Sequence, residues 1–296
     1  MSEKIGLALG GGGARGSYQI GVLKAFRKHG LLNQITHVSG TSIGAINALM
    51  VMANFSHDRM IDIWEKIENK EIYGQGIDRF KIDRQGLFSL QEIYQKLKGE
   101  IPLSEIRSSK IKGFATAAKL KKGSLIDQVL LHRMEKEVFF LNEFKDPLKA
   151  ILASASIPIL FGSTEIDDAF YVDGGTIDNT PVQPLIDAGC QTILAVPIDG
   201  FFNPKKFQEE TILLVNFRPH YIFRTVPIDV LDFDPADIHR KVTYGEMVGN
   251  FMIDKLKELN LLNPKSQFQS VDTFTHVKLT KEDEKMLKEA EENNGS

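Results

Sequence analysis

Ile35-Thr36-His37-Val38-Ser39-Gly40-Thr41-Ser42-Ile43-Gly44-Ala45-Ile46-Asn47-Ala48-Leu49 reads as a short strand that turns sharply at Gly40-Thr41-Ser42-Ile43-Gly44 and enters an apolar helix without a linker. The glycines two positions before and two after the serine have a steric reason. On a tight strand-to-helix turn, side chains at those positions would strike neighbouring backbone. Such a turn holds the Ser42 hydroxyl at its tip, beside the amides of a helix N-terminus. Acyl transfer needs its nucleophile in that place. The pattern occurs by chance in about one chain of this length in ten, so its meaning depends on the surrounding sequence.

Upstream, Ile5-Gly6-Leu7-Ala8-Leu9 is an apolar run of the kind found in buried parallel strands. It leads into Gly10-Gly11-Gly12-Gly13-Ala14-Arg15-Gly16, and a helix is expected from about Ser17 to His29, stopped by Gly30. Two successive strand–glycine turn–helix units predict parallel strands joined by right-handed crossovers, hence an α/β fold. Downstream, a cap insertion is expected over about 56–103. Ser56 caps one of its helices, Ser89 with Glu92 forms a capping box for another, and Ile72 to Leu90 is a candidate lid or membrane-docking surface carrying Phe80 and Phe88. Strands are expected at Ile111–Ala118, Phe170–Val172, Thr192–Val196 and Ile212–Val215. Asp178-Asn179-Thr180-Pro181 reads as a helix start, and a long helix is expected from about Pro235 to Leu262. With no internal repeat or linker, residues 1–280 read as one domain, and the charged 281–296 as a surface helix that frays into a tail.

The chain of 296 residues is ordinary in composition, with 42% hydrophobic and 25% charged residues. A net charge of -3 and no basic run beyond Lys119-Leu120-Lys121-Lys122 give no sign of nucleic-acid binding. A single cysteine, Cys190, rules out internal disulfides and cysteine-based zinc cages and reads as a small core residue. The sequence has no basic-then-apolar leader and no apolar run long enough to span a bilayer. The expected location is cytoplasmic, with any membrane contact peripheral.

Gly11-x-Gly13-x-x-Gly16 formally satisfies the dinucleotide fingerprint, but Ser39-Gly40-Thr41-Ser42 stands where a ribose-binding acid belongs, and no Gly-Lys-Ser/Thr follows for a Walker loop. What remains is a loop of bare amides suited to developing negative charge, each well-aimed donor lowering a barrier by about 3–4 kcal/mol. If the first two strands are neighbours, Gly11, Gly12 and Gly13 face Ser42. The serine also needs a base. His220, His239 and His276 are the histidine candidates for a Ser–Asp–His arrangement, and none lies in a constrained loop. Asp173 stands at a strand end before Gly174-Gly175, where it serves either a tight turn or catalysis. Burial would raise its pKa and let it take a proton directly. Asp167, Asp168, Asp173 and Asp178 lack calcium-loop spacing, so no metal or other cofactor is implied.

The glycine run at 10–16, Gly40-Thr41-Ser42-Ile43-Gly44, Ala153-Ser154-Ala155-Ser156-Ile157-Pro158 and Asp173-Gly174-Gly175 with Asn179-Thr180-Pro181 together resemble the patatin-like phospholipases, in the family's order. The resemblance implies a mostly parallel α/β/α sandwich with a helical cap. It implies a dyad of Ser42 as nucleophile and Asp173 as base, with no histidine, and Gly11, Gly12 and Gly13 as the oxyanion hole. Arg15 would hold that loop or meet a lipid phosphate, while Gly40, Gly44, Gly174 and Gly175 support the turns. The implied reaction is metal-free hydrolysis of acyl esters in phospholipids or other acyl lipids. A Ser–Asp–His esterase, a non-catalytic lipid-binding protein on the same fold and a nucleotide-binding protein remain as alternatives.

Overall fold

The computed structural model describes residues 3–66, 91–121, 134–158, 162–219, 223, 230 and 234–294. A nine-stranded sheet is built from β1 (Ile5–Leu9), β2 (Ile35–Thr41), β3 (Lys112–Leu120), β4 (Glu135–Phe140), β5 (Thr164–Ile166), β6 (Ala169–Asp173), β7 (Thr192–Val196), β8 (Leu213–Asn216) and β9 (Thr275–Lys278). The described helices are α1 (Ser17–Lys28), α2 (Ile43–Met52), α3 (His57–Lys66), α4 (Gln91–Glu100), α5 (Leu103–Ser108), α6 (Pro147–Ala155), α7 (Gln183–Asp187), α8 (Pro235–Glu258) and α9 (Lys281–Asn294).

The strand order is β5-β6-β3-β2-β1-β7-β8-β9, with β4 also on β3. β3, β2, β1, β7, β8 and β9 run parallel, whereas β4, β5 and β6 join antiparallel. The expected adjacency of the first two strands is present, with Leu9 paired to Gly40, so both glycine-bearing turns leave the same edge of the sheet. β1 and β7 are buried along their whole length, as apolar strands covered on both faces must be.

One large core lies under α1, α2 and α8, and a smaller one under α7 on the opposite face. The helices α1 and α8 cross closely because glycines sit at the contact: a Cβ on Gly21 would fall 1.9 Å from the Val242 carbonyl oxygen. Met60, Ile63 and Trp64 of α3, together with Leu97, Ile101 and Ile106, belong to the large core, so the described ends of the 56–103 segment are built into it. The Ser56 hydroxyl accepts from the Arg59 amide at 3.2 Å, capping α3 as expected. The 72–90 stretch, with Phe80 and Phe88, and Ser89 of the expected capping box lie outside the described residues.

One expectation is corrected. The helix read at Asp178–Pro181 begins only at Gln183, and its early proline is Pro184. The carbonyls of Asp178, Asn179 and Pro181 accept bonds from Thr41, Gly11 and Ser39 respectively, so this backbone is turned toward other strands and cannot start a helix.

Candidate active site

Ser42 has φ 56° and ψ −127°, a backbone conformation that a residue with a Cβ rarely adopts. The flanking glycines make the turn possible. A Cβ on Gly40 would lie 2.3 Å from the Gly44 carbonyl oxygen, and one on Gly44 would lie 2.2 Å from that of Leu9. The Ser42 amide donates to the Ser154 hydroxyl at 2.9 Å, and that hydroxyl donates to the Thr116 carbonyl at 2.6 Å. Ser154 is fully buried and thereby ties the turn to β3.

Sheet pairing explains how Asp173, far along the chain, reaches Ser42. β4 pairs with β3 over Phe114–Lys119, so it covers one edge of that strand. β2 and β6 must share the other edge: β2 ends with Thr41 opposite Thr116, and β6, running the other way, ends with Asp173 opposite Ala117. The two strands therefore meet head-on along β3, and their carboxyl ends bring Ser42 and Asp173 together.

The Asp173 carboxylate accepts from the Gly175 amide at 2.7 Å and lies near enough to the Ser42 side chain for that group to favour its charged form. Burial raises its pKa from 3.8 to about 6, outweighing the lowering by Ser42 and Gly175. Gly174 is packed against β3, where a Cβ would lie 2.3 Å from the Thr116 carbonyl oxygen.

The glycine run lies beside this pair, since a Cβ on Gly11 would lie 3.0 Å from Ser42 Cβ. The Gly11 amide is engaged with the Asn179 carbonyl at 3.0 Å, and Asn179 Nδ2 returns a bond to the Gly11 carbonyl at 2.9 Å. Among the described residues, the amides of Gly12 and Gly13 have no acceptor. Gly13 has φ 56°, and a Cβ there would lie 2.1 Å from the Val230 carbonyl oxygen, so only glycine fits. Arg15 is buried, with its guanidinium 5.0 Å from the centre of the Phe223 ring and Nη1 donating to the Ile198 carbonyl at 3.4 Å. It is packed among the loops that surround the glycines.

Several supporting residues were not singled out in the sequence. Gln19 donates to the Gly10 carbonyl at 2.8 Å, Asn47 donates to Gln19 at 2.7 Å, and Trp64 donates to Asn47 at 3.0 Å, a buried chain linking the glycine loop to α1, α2 and α3. The signal was available for Asn47, the lone polar residue of the otherwise apolar Ile43–Met52. Asp199, on the loop after β7, accepts from Asn179 Nδ2 and so supports the residue that braces Gly11.

The histidines stand elsewhere. His239 is a surface residue of α8, 3.5 Å from Glu65, as expected of a helix face. His276 lies on β9 at the far edge of the sheet, and His220 falls outside the described residues. Cys190 is buried and its thiol pushed up to about 12 by burial, in keeping with a core role. No group of three or more metal-ligating side chains occurs among the described residues. No described helix is long and apolar enough to cross a membrane.

Comparison with known proteins gives a consistent picture. An uncharacterised NTE family protein of Mycobacterium tuberculosis is 28% identical over 204 residues, covering 67% of this chain and 50% of that protein. A protein named "Probable lipid hydrolase" from Invertebrate iridescent virus 6 is 26% identical, covering 60% of this chain and 61% of its own. Lysophospholipase NTE1 of Saccharomyces cerevisiae is 26% identical over 66% of this chain but only 11% of its own length. The chain thus spans about half the length of the mycobacterial relatives it matches. Among solved structures, VipD from Legionella pneumophila shares the fold with a TM-score of 0.52 and 13% identity, over 86% of this chain and 67% of its own. A family model described as patatin-like phospholipase matches residues 7–186, a span that holds Gly11–Gly13, Ser42 and Asp173. The chain belongs to the patatin-like phospholipase family.

Proposed function

We propose that this chain is a lipid acyl hydrolase that cleaves acyl esters of phospholipids or related lipids through a Ser42–Asp173 dyad. The observation that carries the reading is a buried carboxylate that the meeting of β2 and β6 along β3 brings beside a serine on a strained turn, and that burial pushes up to about 6. Such a carboxylate is ionised at neutral pH yet holds a proton better than an exposed one, which suits general-base work. Family membership and the names of the yeast and viral relatives support the lipid class of substrate.

In this mechanism Asp173 takes the Ser42 hydroxyl proton as Oγ attacks the ester carbonyl carbon. The oxyanion that forms is met by the amides of Gly12 and Gly13. The Gly11 amide, engaged by Asn179, keeps the loop in shape. Collapse breaks the bond to the alcohol oxygen, which leaves with the proton held by Asp173. Water then gives a proton to Asp173 and attacks the acyl-enzyme, and the second collapse releases the fatty acid and returns the proton to Ser42. No step calls on a histidine or a metal.

A fluorophosphonate probe tests the nucleophile. Covalent labelling of the peptide containing Ser42, lost in Ser42→Ala and strongly slowed in Asp173→Asn, is the expected result. Labelling undiminished in Ser42→Ala would overturn the assignment, and a protein that takes no label would favour the non-catalytic lipid-binding reading.

A further inference from the structure

Asn179 holds both polar groups of Gly11 at once. Its backbone carbonyl accepts from the Gly11 amide at 3.0 Å, and its Nδ2 donates to the Gly11 carbonyl at 2.9 Å. The second bond acts one residue further on. The Gly11 carbonyl and the Gly12 N–H belong to one planar trans peptide and point in opposite directions. Fixing that carbonyl on Asn179 therefore fixes the Gly12 N–H facing away from Asn179. The carboxamide is itself held in place. A Cβ on Gly11 would lie 2.5 Å from Asn179 Oδ1 and one on Gly175 2.7 Å from it, so the group fills a slot that two glycines leave open between the glycine loop and the turn after Asp173. Nδ2 also donates to Asp199 Oδ2, and a carboxylate accepts only from the nitrogen end of a carboxamide. Asp199 Oδ1 in turn accepts from the amides of Phe201 and Phe202 at 2.8 and 3.2 Å. One chain of bonds thus runs from the loop after β7 through Asp199 and Asn179 to the Gly11–Gly12 peptide.

We infer that Asn179 is the positioning residue of the oxyanion hole, that its side chain aims the Gly12 N–H at the ester oxygen, and that Asp199 fixes the orientation of that side chain. The inference rests on the proposed hydrolysis for the task of the Gly12 amide. These bonds stand before substrate arrives, so the donor needs no reorganisation as charge develops. The bond accepted by the Gly11 carbonyl also polarises the peptide, which makes its N–H a stronger donor. Removing the Asn179 side chain leaves the Gly11 amide on the backbone carbonyl of residue 179. The loop then stays anchored while the Gly12 amide is released to turn.

The test compares wild type, Ser42→Ala, Asn179→Ala, Asp199→Ala and the Asn179→Ala/Asp199→Ala double variant on a soluble p-nitrophenyl ester. Inhibition by a trifluoromethyl ketone, whose adduct with Ser42 carries an oxyanion, is measured alongside. Asn179→Ala is expected to lower kcat about 10- to 100-fold, to leave KM within about threefold, and to weaken the ketone by the same factor as kcat/KM. Asp199→Ala should lower kcat about 3- to 30-fold, and the double variant should be slower than Asn179→Ala by no more than about twofold, because Asp199 acts through Asn179. Asp199→Ala removes no bond to Gly11 and carries the same comparison if Asn179→Ala melts below the assay temperature. A Ser42-dependent kcat in Asn179→Ala within about threefold of wild type would overturn this inference alone. So would a loss confined to KM with ketone inhibition unchanged, or losses that multiply in the double variant. Ester cleavage absent from wild type, or equal in Ser42→Ala, would overturn the hydrolase reading and this inference with it.

Discussion

Burial of Asp173 affects activity and stability in opposite directions. Its pKa is raised from 3.8 to about 6, so the folded chain holds this proton more tightly than the unfolded chain does. Keeping the carboxylate ionised therefore opposes folding. The penalty is absent below the unfolded value, grows as pH rises from about 3.8 to 6, and is complete above that, reaching about 3 kcal/mol. Asp173→Asn should thus raise Tm by several degrees at pH 7 to 8, with the gain vanishing near pH 4 in thermal melts. The same substitution should cost at least about 10³-fold in kcat. For the wild type, kcat/KM should fall about tenfold per pH unit below about 6, as the base becomes protonated.

Ser154→Ala leaves the buried Ser42 amide without its partner, which costs about 1–3 kcal/mol. If the loss falls on the geometry of the turn, kcat drops about 10- to 100-fold with little change in KM. Ser154→Thr or Ser154→Cys restoring part of kcat would separate positioning from a general loss of stability. At this scale the sequence was most legible where chemistry and sterics coincide, at Gly40, Ser42, Gly44 and Asp173. It was least legible for Gln19, Ser154 and Asp199, whose contacts cross from one element to another and have no spacing of their own to read.

Among the elements, the head-on meeting of β2 and β6 along β3 is the device that assembles the site. Gly44 lets α2 start against the end of β1, so Gly44→Ala must displace backbone rather than a side chain. We expect Gly44→Ala to destabilise by about 3 kcal/mol or more and to reduce soluble yield, measured by denaturant unfolding. An unfolding midpoint like wild type would show that the turn relaxes without that contact. The buried strands β1, β7 and β8 were readable from apolar runs and β2 from the turn and helix that follow it, whereas β4, β5 and β9 were not readable. β4 opens on Glu135-Lys136-Glu137, β5 has only three residues, and β9 only four, so their strand character comes from pairing at the sheet's flanks rather than from their own sequence. The glycine loop was legible as a turn of bare amides, but the engagement of the Gly11 amide by Asn179 required knowing how 174–180 crosses the strand ends.

For the whole molecule, a single large core draws residues from Ile5 to Leu287, including those of α3, α5, α8 and α9. The charged C-terminal helix α9 is anchored on α8 by Leu287 burial and by the Arg240–Glu291 and Lys255–Asp283 pairs. A core shared in this way predicts one cooperative calorimetric transition, and two separated transitions would contradict the one-domain reading. Class and strand order near the site were readable from two consecutive strand–turn–helix units. The C-terminal third offered one apolar strand, a long helix and a charged end, and the long helix finds its packing partner in the first third, on α1. The most direct measurement of the central claim is to incubate wild type and Ser42→Ala at pH 8 with a mixed panel of phospholipids and lysophospholipids and to read the products by mass. Free fatty acid with the matching deacylated lipid, formed by wild type and absent with Ser42→Ala, is the predicted result, whereas equal product from both proteins would contradict it.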